Sequence, residues 1–394
     1  MKYQHLSADG RFTYVIAEEN KTIYGIEGYI LLNHKENPDI AGALWKVIPN
    51  KYFMLGKQIR DRLMQLTICL SILASSFVMY HYVRELQVSR YPEIKGLEYS
   101  LFEQQLKFFK KNFHVVTMEQ VIAYMEKKES LPERAVLLTF DDGYIDHFTY
   151  VFPMLMEFGM QGSFFVPGKV FTEHCLLDVN KIHFLLASAP IEVLYEELLR
   201  QLNFYRGQEW QYEENQELIQ KYAIENRWDC KETIFFKRIL QVVLPEELRG
   251  IIVDALFQKY VNVSENVIAH ELYMNYDQMK LMKKSGMYFG VHGYDHYWMN
   301  RLPLERVEDD IDKALESMAG LIDIKKWVIN YPYGSYSQDI FKKLNDKGTV
   351  LGLSTDIGIA DLDKDNRFAL PRLDTNDFPP KSQNYLLNKL YDFK

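Results

Sequence analysis

Two short segments of this chain carry side chains able to do chemistry together: Thr139-Phe140-Asp141-Asp142-Gly143-Tyr144 and, about 150 residues later, His292-Gly293-Tyr294-Asp295-His296. Two imidazoles at i and i+4 plus a carboxylate from a distant strand end make a facial set of three ligands, Asp142, His292 and His296. Such a set suits a divalent metal that keeps open positions for water and substrate. Asp141 sits beside Asp142, so one aspartate can hold the metal while the other takes a proton from water. Together the segments predict a metal-assisted hydrolase. Singly, each has a blander use: Asp-Asp-Gly after an apolar run is an ordinary strand-to-turn corner, and His-x-x-x-His is often two surface histidines.

The elements that must position these residues are legible around them. Ala135-Val136-Leu137-Leu138 precedes the first segment and Met287-Tyr288-Phe289-Gly290-Val291 the second. Both segments therefore lie where a strand opens into a loop, the end that carries chemistry in barrels and open α/β sheets. Residues 303–322 have helical spacing, with Glu305, Glu308, Asp309 and Asp310 early in the helix, where acidic groups favour its dipole. Strands over 327–330 and 350–354 alternate with a helix over 339–347, which predicts a parallel barrel or sheet. Between about 171 and 276 the chain reads as helical, with amphipathic spacing over 191–202 and helices over 235–243 and 248–260. Such an insertion would act as a lid shaping substrate choice, or as a packing or dimerisation element. The polar run Asp178-Val179-Asn180-Lys181-Ile182-His183 at its start favours contacts with the cleft.

At these motifs the chain resembles the polysaccharide deacetylase superfamily, the sugar N- or O-deacetylases related to nodulation, chitin and peptidoglycan deacetylases. The resemblance runs from about Val78 to the C-terminus. Val78-Met79-Tyr80-His81-Tyr82-Val83 resembles the opening strand, residues 159–166 the strand after the first motif, Ile329-Asn330-Tyr331-Pro332-Tyr333-Gly334 the third motif, and Leu370-Pro371-Arg372-Leu373-Asp374 a late motif. It implies Asp141 as general base, Asp142, His292 and His296 as metal ligands, and the backbone N–H of Tyr333 as an oxyanion donor. An amide carbonyl is a poor electrophile, so a metal and a fixed N–H are both needed to stabilise the developing negative charge.

The chain departs from the family pattern twice. The arginine that usually precedes the proline-aromatic step of the third motif, and holds the catalytic aspartate, is replaced by Asn330-Tyr331. Arg372 is expected to approach Asp141 from a neighbouring strand instead; a surface or ion-pairing arginine is the alternative. The Leu-x-His motif that supplies the family's acid histidine is also missing, and no histidine follows His296. The acid must then be His81, His183 or a water, and His81, at a strand end, is preferred.

Composition fits a globular enzyme. A net charge of −8 without a long basic run makes nucleic acid and acidic membrane surfaces unexpected partners. Cys69, Cys175 and Cys230 are few, odd in number and widely spaced, which suits free thiols in a reducing compartment. The first residues lack the apolar core of a secretory signal. Residues 63–80 contain no charge and approach the length of a spanning helix, but polar residues dilute them and their end reads as a strand.

Residues 1–74 form a small α+β segment: strands over 11–17 and 22–31 joined by a polar turn, a third strand over 39–47 and a helix over 55–66. This order resembles part of a GNAT-type acyltransferase. Coenzyme A, however, needs a glycine-rich turn for its pyrophosphate, and here Gly56 stands alone behind Tyr52, Phe53 and Met54. A truncated, non-catalytic packing module is expected.

The expectation is therefore an α/β protein with a distorted (β/α) barrel over 75–394, a helical insertion at about 171–276 and a small α+β segment before it. The barrel would be a divalent-metal-dependent carbohydrate deacetylase, cytoplasmic, with zinc as the default metal. Its substrate would be an acetylated sugar, such as a surface-glycan precursor or polysaccharide. A catalytically impaired carbohydrate-binding relative is the alternative.

Overall fold

Seven parallel strands close on themselves in the computed structural model, which describes strands at Tyr3–Ala8, Phe12–Ala17 and Thr22–Glu27 and residues 75–224 and 229–386. The chain divides into two units, Met1–Leu70 and Ser71–Lys394. In the first, β1 (Tyr3–Ala8), β2 (Phe12–Ala17) and β3 (Thr22–Glu27) form an antiparallel sheet in that order. The expected hairpin is present, with Ala17 opposite Thr22, and β1 extends it by a strand not foreseen. The expected third strand at 39–47, the helix at 55–66 and the Gly56 turn lie outside the described residues.

The second unit is a (β/α) barrel. Its strands are β4 (Ser76–Tyr80), β5 (Ala135–Asp141), β6 (Ser163–Val166), β7 (Tyr288–Val291), β8 (Trp327–Asn330), β9 (Thr349–Ile357) and β10 (Leu370–Asp374). Around the barrel the order is β4-β10-β9-β8-β7-β6-β5, and the β4–β5 pairing, from Ser76 opposite Val136 to Tyr80 opposite Phe140, closes it. A short strand, His114–Val115, pairs beside the start of β5. Every residue of β5, β6 and β8 is buried, which is why these strands read as continuous apolar runs rather than alternating ones.

Outer helices cover the barrel with apolar stripes. In Leu304–Ser317 the buried positions are Val307, Asp310, Ile311 and Ala314, the i, i+3, i+4, i+7 spacing of one face. The predicted strands at 327–330 and 350–354 are β8 and the middle of β9, and the helix predicted at 339–347 is Gln338–Asp346. Between β6 and β7 the insertion comprises helices Asp178–Ser188, Ile191–Tyr205, Asn215–Tyr222, Lys231–Arg238, Glu246–Tyr260 and Glu265–Leu272. Its first helix is tied to the fifth by Arg249 donating to Asp178 at 3.0 Å and by Lys181 with Asp254 at 2.5 Å. Among the described residues no helix is long and apolar enough to cross a membrane; residues 63–74 of the uncharged stretch lie outside them, and its end forms β4.

Candidate metal centre and active site

Asp142, His292 and His296 converge at the C-terminal mouth of the barrel, all buried, with their ligand atoms within 4.8 Å of one another. The Nε2 atoms of His292 and His296 each lie 3.3 Å from Asp142 Oδ1. The strand ends deliver them. β5 stops at Asp141, and Asp142 and Gly143 both take a left-handed φ of 70°, which turns the chain sharply and leaves the Asp142 carboxylate at the strand tip. Gly143 is required there: its positive φ disfavours a side chain, and a Cβ would meet Val166 Cγ1 at 2.4 Å. After β7, the loop holding both histidines is shaped by buried Asp310, whose carboxylate accepts the N–H groups of Tyr294 (2.9 Å) and Asp295 (2.8 Å).

The His292 Nδ1 lies 2.6 Å from the Asn330 carbonyl, an acceptor, so Nδ1 carries the proton and Nε2 of the neutral ring presents a lone pair to Asp142. Asp142 Oδ2 accepts from the Tyr144 hydroxyl at 2.7 Å, while Oδ1 is buried with no hydrogen-bond partner. Lone pairs thus converge on one point, an arrangement that a cation could satisfy. The 3.3 Å separations fit: ligand bonds of about 2.0–2.1 Å in a tetrahedron give an edge of about 3.3 Å. Burial by itself raises the Asp142 carboxyl, whereas His292 and His296, when protonated and donating to it, pull it well below the ordinary carboxylate range. Burial lowers the His296 imidazole, with Asp142 opposing it.

Asp141 points into the barrel lumen and is held there by Arg372. The guanidinium is buried and forms a fork, Nη1 to Oδ1 and Nη2 to Oδ2, both at 2.9 Å. It also donates to Thr139 Oγ1 (3.0 Å), Asn330 Oδ1 (2.9 Å) and the Ser354 carbonyl (2.8 Å). Arg372 does not come from a strand adjacent to β5: β4 lies between β10 and β5, and the long side chain reaches across the lumen. Asn330 donates to Asp141 Oδ1 at 2.6 Å, so the residue standing where the family arginine is expected contacts the same carboxylate. Burial raises Asp141, and Arg372, His81 and His292 together outweigh it and lower the carboxyl.

The remaining expected residues lie around this pair. His81 Nε2 is 3.8 Å from Asp141 Oδ2, with its side chain 42% exposed. His183 Nδ1 lies 3.4 Å from the Tyr82 hydroxyl oxygen, and burial pushes the imidazole down to about 4. Tyr333 takes a left-handed φ of 57° inside Pro332–Gly334, its ring 4.6 Å from His296 and stacked on Trp298 at 4.6 Å and 4°. Asp142, His296 and Tyr333 are thus three of the six non-glycine residues with positive φ among those described, a concentration of backbone strain typical of functional sites.

A family model described as polysaccharide deacetylase matches residues 128–203 and 245–351, which include Asp141, Asp142, His292, His296 and the third motif. This chain belongs to the polysaccharide deacetylase family. The polysaccharide deacetylase-like protein YxkH of Bacillus subtilis is 18% identical over 297 residues, covering 75% of this chain and 69% of YxkH. Among solved structures, a Streptococcus pyogenes deacetylase, PplD, in complex with acetate is 16% identical with a TM-score of 0.47, covering 81% of this chain and 99% of that one. A de-N-acetylase from Aggregatibacter actinomycetemcomitans is likewise 16% identical at 0.47, covering 79% and 99%. Arg372 and His81 fall outside the matched deacetylase segments.

Several residues of this deacetylase-family site had no sequence signal strong enough to find them. Buried His147 donates through Nε2 to the His81 carbonyl at 2.8 Å. Tyr82, Asn180 and Tyr273 surround Tyr144 behind Asp142. Only the polar run at 178–184 hinted at one of them.

Proposed function

We propose that the barrel is a divalent-metal-dependent carbohydrate deacetylase that removes an acetyl group from an N- or O-acetylated sugar of a surface glycan or its precursor. The observation that carries this reading is the convergence of unprotonated acceptors, Asp142 Oδ1 and His292 Nε2, beside a second carboxylate, Asp141, that a buried arginine keeps ionised. Asp142, His292 and His296 would hold the ion; zinc is the default, and the same donor set accepts iron, cobalt or nickel. A bound ion supplies polarisation of the acyl carbonyl and a lowered pKa for water.

The side chains divide the remaining work. Asp141 takes the proton from the attacking water, since the Arg372 fork fixes its orientation and favours the charged form. The Tyr333 N–H is assigned to the oxyanion; the left-handed φ of Tyr333 and the contact of its ring with His296 support this assignment. His81 is assigned as the acid that protonates the leaving group, being near Asp141 and partly exposed. His183 suits that task less, because burial keeps it neutral at physiological pH. The parallel Trp298–Tyr333 pair offers an aromatic wall for a pyranose face. The chemistry is assigned to residues 75–394, with 1–74 given no catalytic role. The same reading places the protein in the cytoplasm, where free Cys175 and Cys230 suit a reducing compartment.

The test is acetate release from a panel of N- and O-acetylated sugars, nucleotide sugars and oligosaccharides, with and without a chelator. Release that the chelator stops and added zinc restores is expected. No release from any of them by zinc-loaded protein would refute the hydrolase and favour a binding relative.

A further inference from the structure

The helical insertion reaches the back of the metal-ligand set by a hydrogen-bond chain that runs in one direction. The Leu177 N–H donates to the Tyr273 hydroxyl oxygen at 3.1 Å, and Tyr273 donates to Asn180 Oδ1. That contact orients the amide, so the Asn180 Nδ2 spends both hydrogens on phenol oxygens, Tyr144 at 2.7 Å and Tyr82 at 2.8 Å. Tyr144 cannot donate back to an N–H group, so its proton goes to Asp142 Oδ2 at 2.7 Å. Asn180, Tyr144, Tyr82 and Tyr273 are all buried, which removes water as a competing partner and makes each bond costly to lose. A second tie runs along the backbone, where the Met274 N–H donates to the Gly143 carbonyl at 2.9 Å in the turn that follows Asp142.

We propose that Asn180 is a positioning residue for the metal centre. Acting through Tyr144, it keeps Asp142 Oδ2 capped, so that Oδ1 alone is offered to the ion, and Tyr273 sets the orientation in which Asn180 does this. The insertion is then part of the ligand shell rather than a detachable cap. The inference rests on the metal-centre reading above. It differs from a purely structural role, in which the polar cluster only satisfies buried groups at the seam between insertion and barrel. A structural role moves stability; a positioning role also moves metal affinity, and only by way of Tyr144.

The experiment measures zinc affinity of the full chain by competition with a chromophoric chelator, alongside urea unfolding, for Tyr144→Phe, Asn180→Leu, their double variant, Tyr273→Phe and His296→Ala. Tyr144→Phe and Asn180→Leu are each expected to weaken zinc about 10- to 100-fold, the range for losing a partner behind a ligand. The double variant should be no weaker than Tyr144→Phe alone, because the Asn180 effect passes through that hydroxyl. Tyr273→Phe, which keeps the ring, should weaken zinc in the same direction by less. Zinc affinity within about twofold of wild type in folded Asn180→Leu, or losses that multiply in the double variant, would overturn the proposal. If Asn180→Leu does not fold, unchanged affinity in Tyr273→Phe overturns it. His296→Ala separates the two readings: its loss of zinc upholds the metal centre whatever Asn180 does. A wild type that binds no zinc, or a His296→Ala that keeps it, removes both.

Discussion

Replacing Arg372 by methionine tests the buried pair at the heart of the barrel. The substitution keeps an unbranched apolar stem but removes the fork on both oxygens of Asp141 and the donors to Thr139, Asn330 and Ser354. Both partners are buried, so solvent cannot replace what is lost. Breaking such a pair by deleting one member costs about 3–5 kcal/mol, because an uncompensated carboxylate stays behind. For the unit Ser71–Lys394, at about 2.1 cal/mol/K of unfolding entropy per residue, that is a drop in Tm of about 4–7 °C. Burial then dominates Asp141 and favours its neutral form, so the rate should fall by about 100- to 10,000-fold, the contribution of a general base. Bound metal should stay near one equivalent, since Asp142 keeps its own partners. Urea unfolding, metal analysis and acetate release on Arg372→Met, Asp141→Asn and the double variant form the assay. In the double variant neither charge remains, so it should be more stable than the sum of the single losses predicts. Arg372→Met within about 1 kcal/mol of wild type, or strict additivity in the cycle, would refute the account of this pair as a coupled buried ion pair.

The aspartates should separate by role: Asp141→Asn keeps the metal and loses at least about 100-fold in rate, whereas Asp142→Asn loses both, and equal metal loss in the two would reverse the assignment. Metal analysis should give about one equivalent per chain, absent in His292→Ala/His296→Ala. Acid should destabilise the barrel through His147, which burial pushes down to about 4 while the unfolded chain takes its proton near 6.5. The unfolded state therefore holds more protons between those values. The stability is full above about pH 6.5 and falls with pH down to about 4, with about 2 kcal/mol gone by pH 5. Urea titrations of wild type and His147→Gln at pH 7 and 5 should differ by that amount in their pH dependence, and identical slopes would exclude His147 as the source. Calorimetry with acetyl-coenzyme A should show no micromolar binding; such binding would restore an acyltransferase role to residues 1–74.

The amino-acid sequence by itself determined the local parts of this protein. Asp141, Asp142, His292 and His296 are legible because each sits at a strand end whose apolar run and following turn are contiguous in the chain, and because parallel strands buried on both faces read as unbroken apolar runs. The strand-helix alternation after residue 300 and the amphipathic helices of the insertion were legible for the same reason: their periodicity spans only a few residues. What the tertiary structure decided is which distant groups meet. Arg372 was readable as a candidate, but that it crosses the lumen past β4 to grip Asp141, with Asn330 joining from β8, follows from barrel closure. No spacing in the chain encodes that closure. The chain from Tyr273 through Asn180 to Tyr144 exists only because the insertion packs its buried polar groups against the turn after Asp142. A hydrogen bond between residues about 90 positions apart leaves no periodic trace in sequence, since its partners are chosen by burial and geometry rather than by neighbours along the backbone.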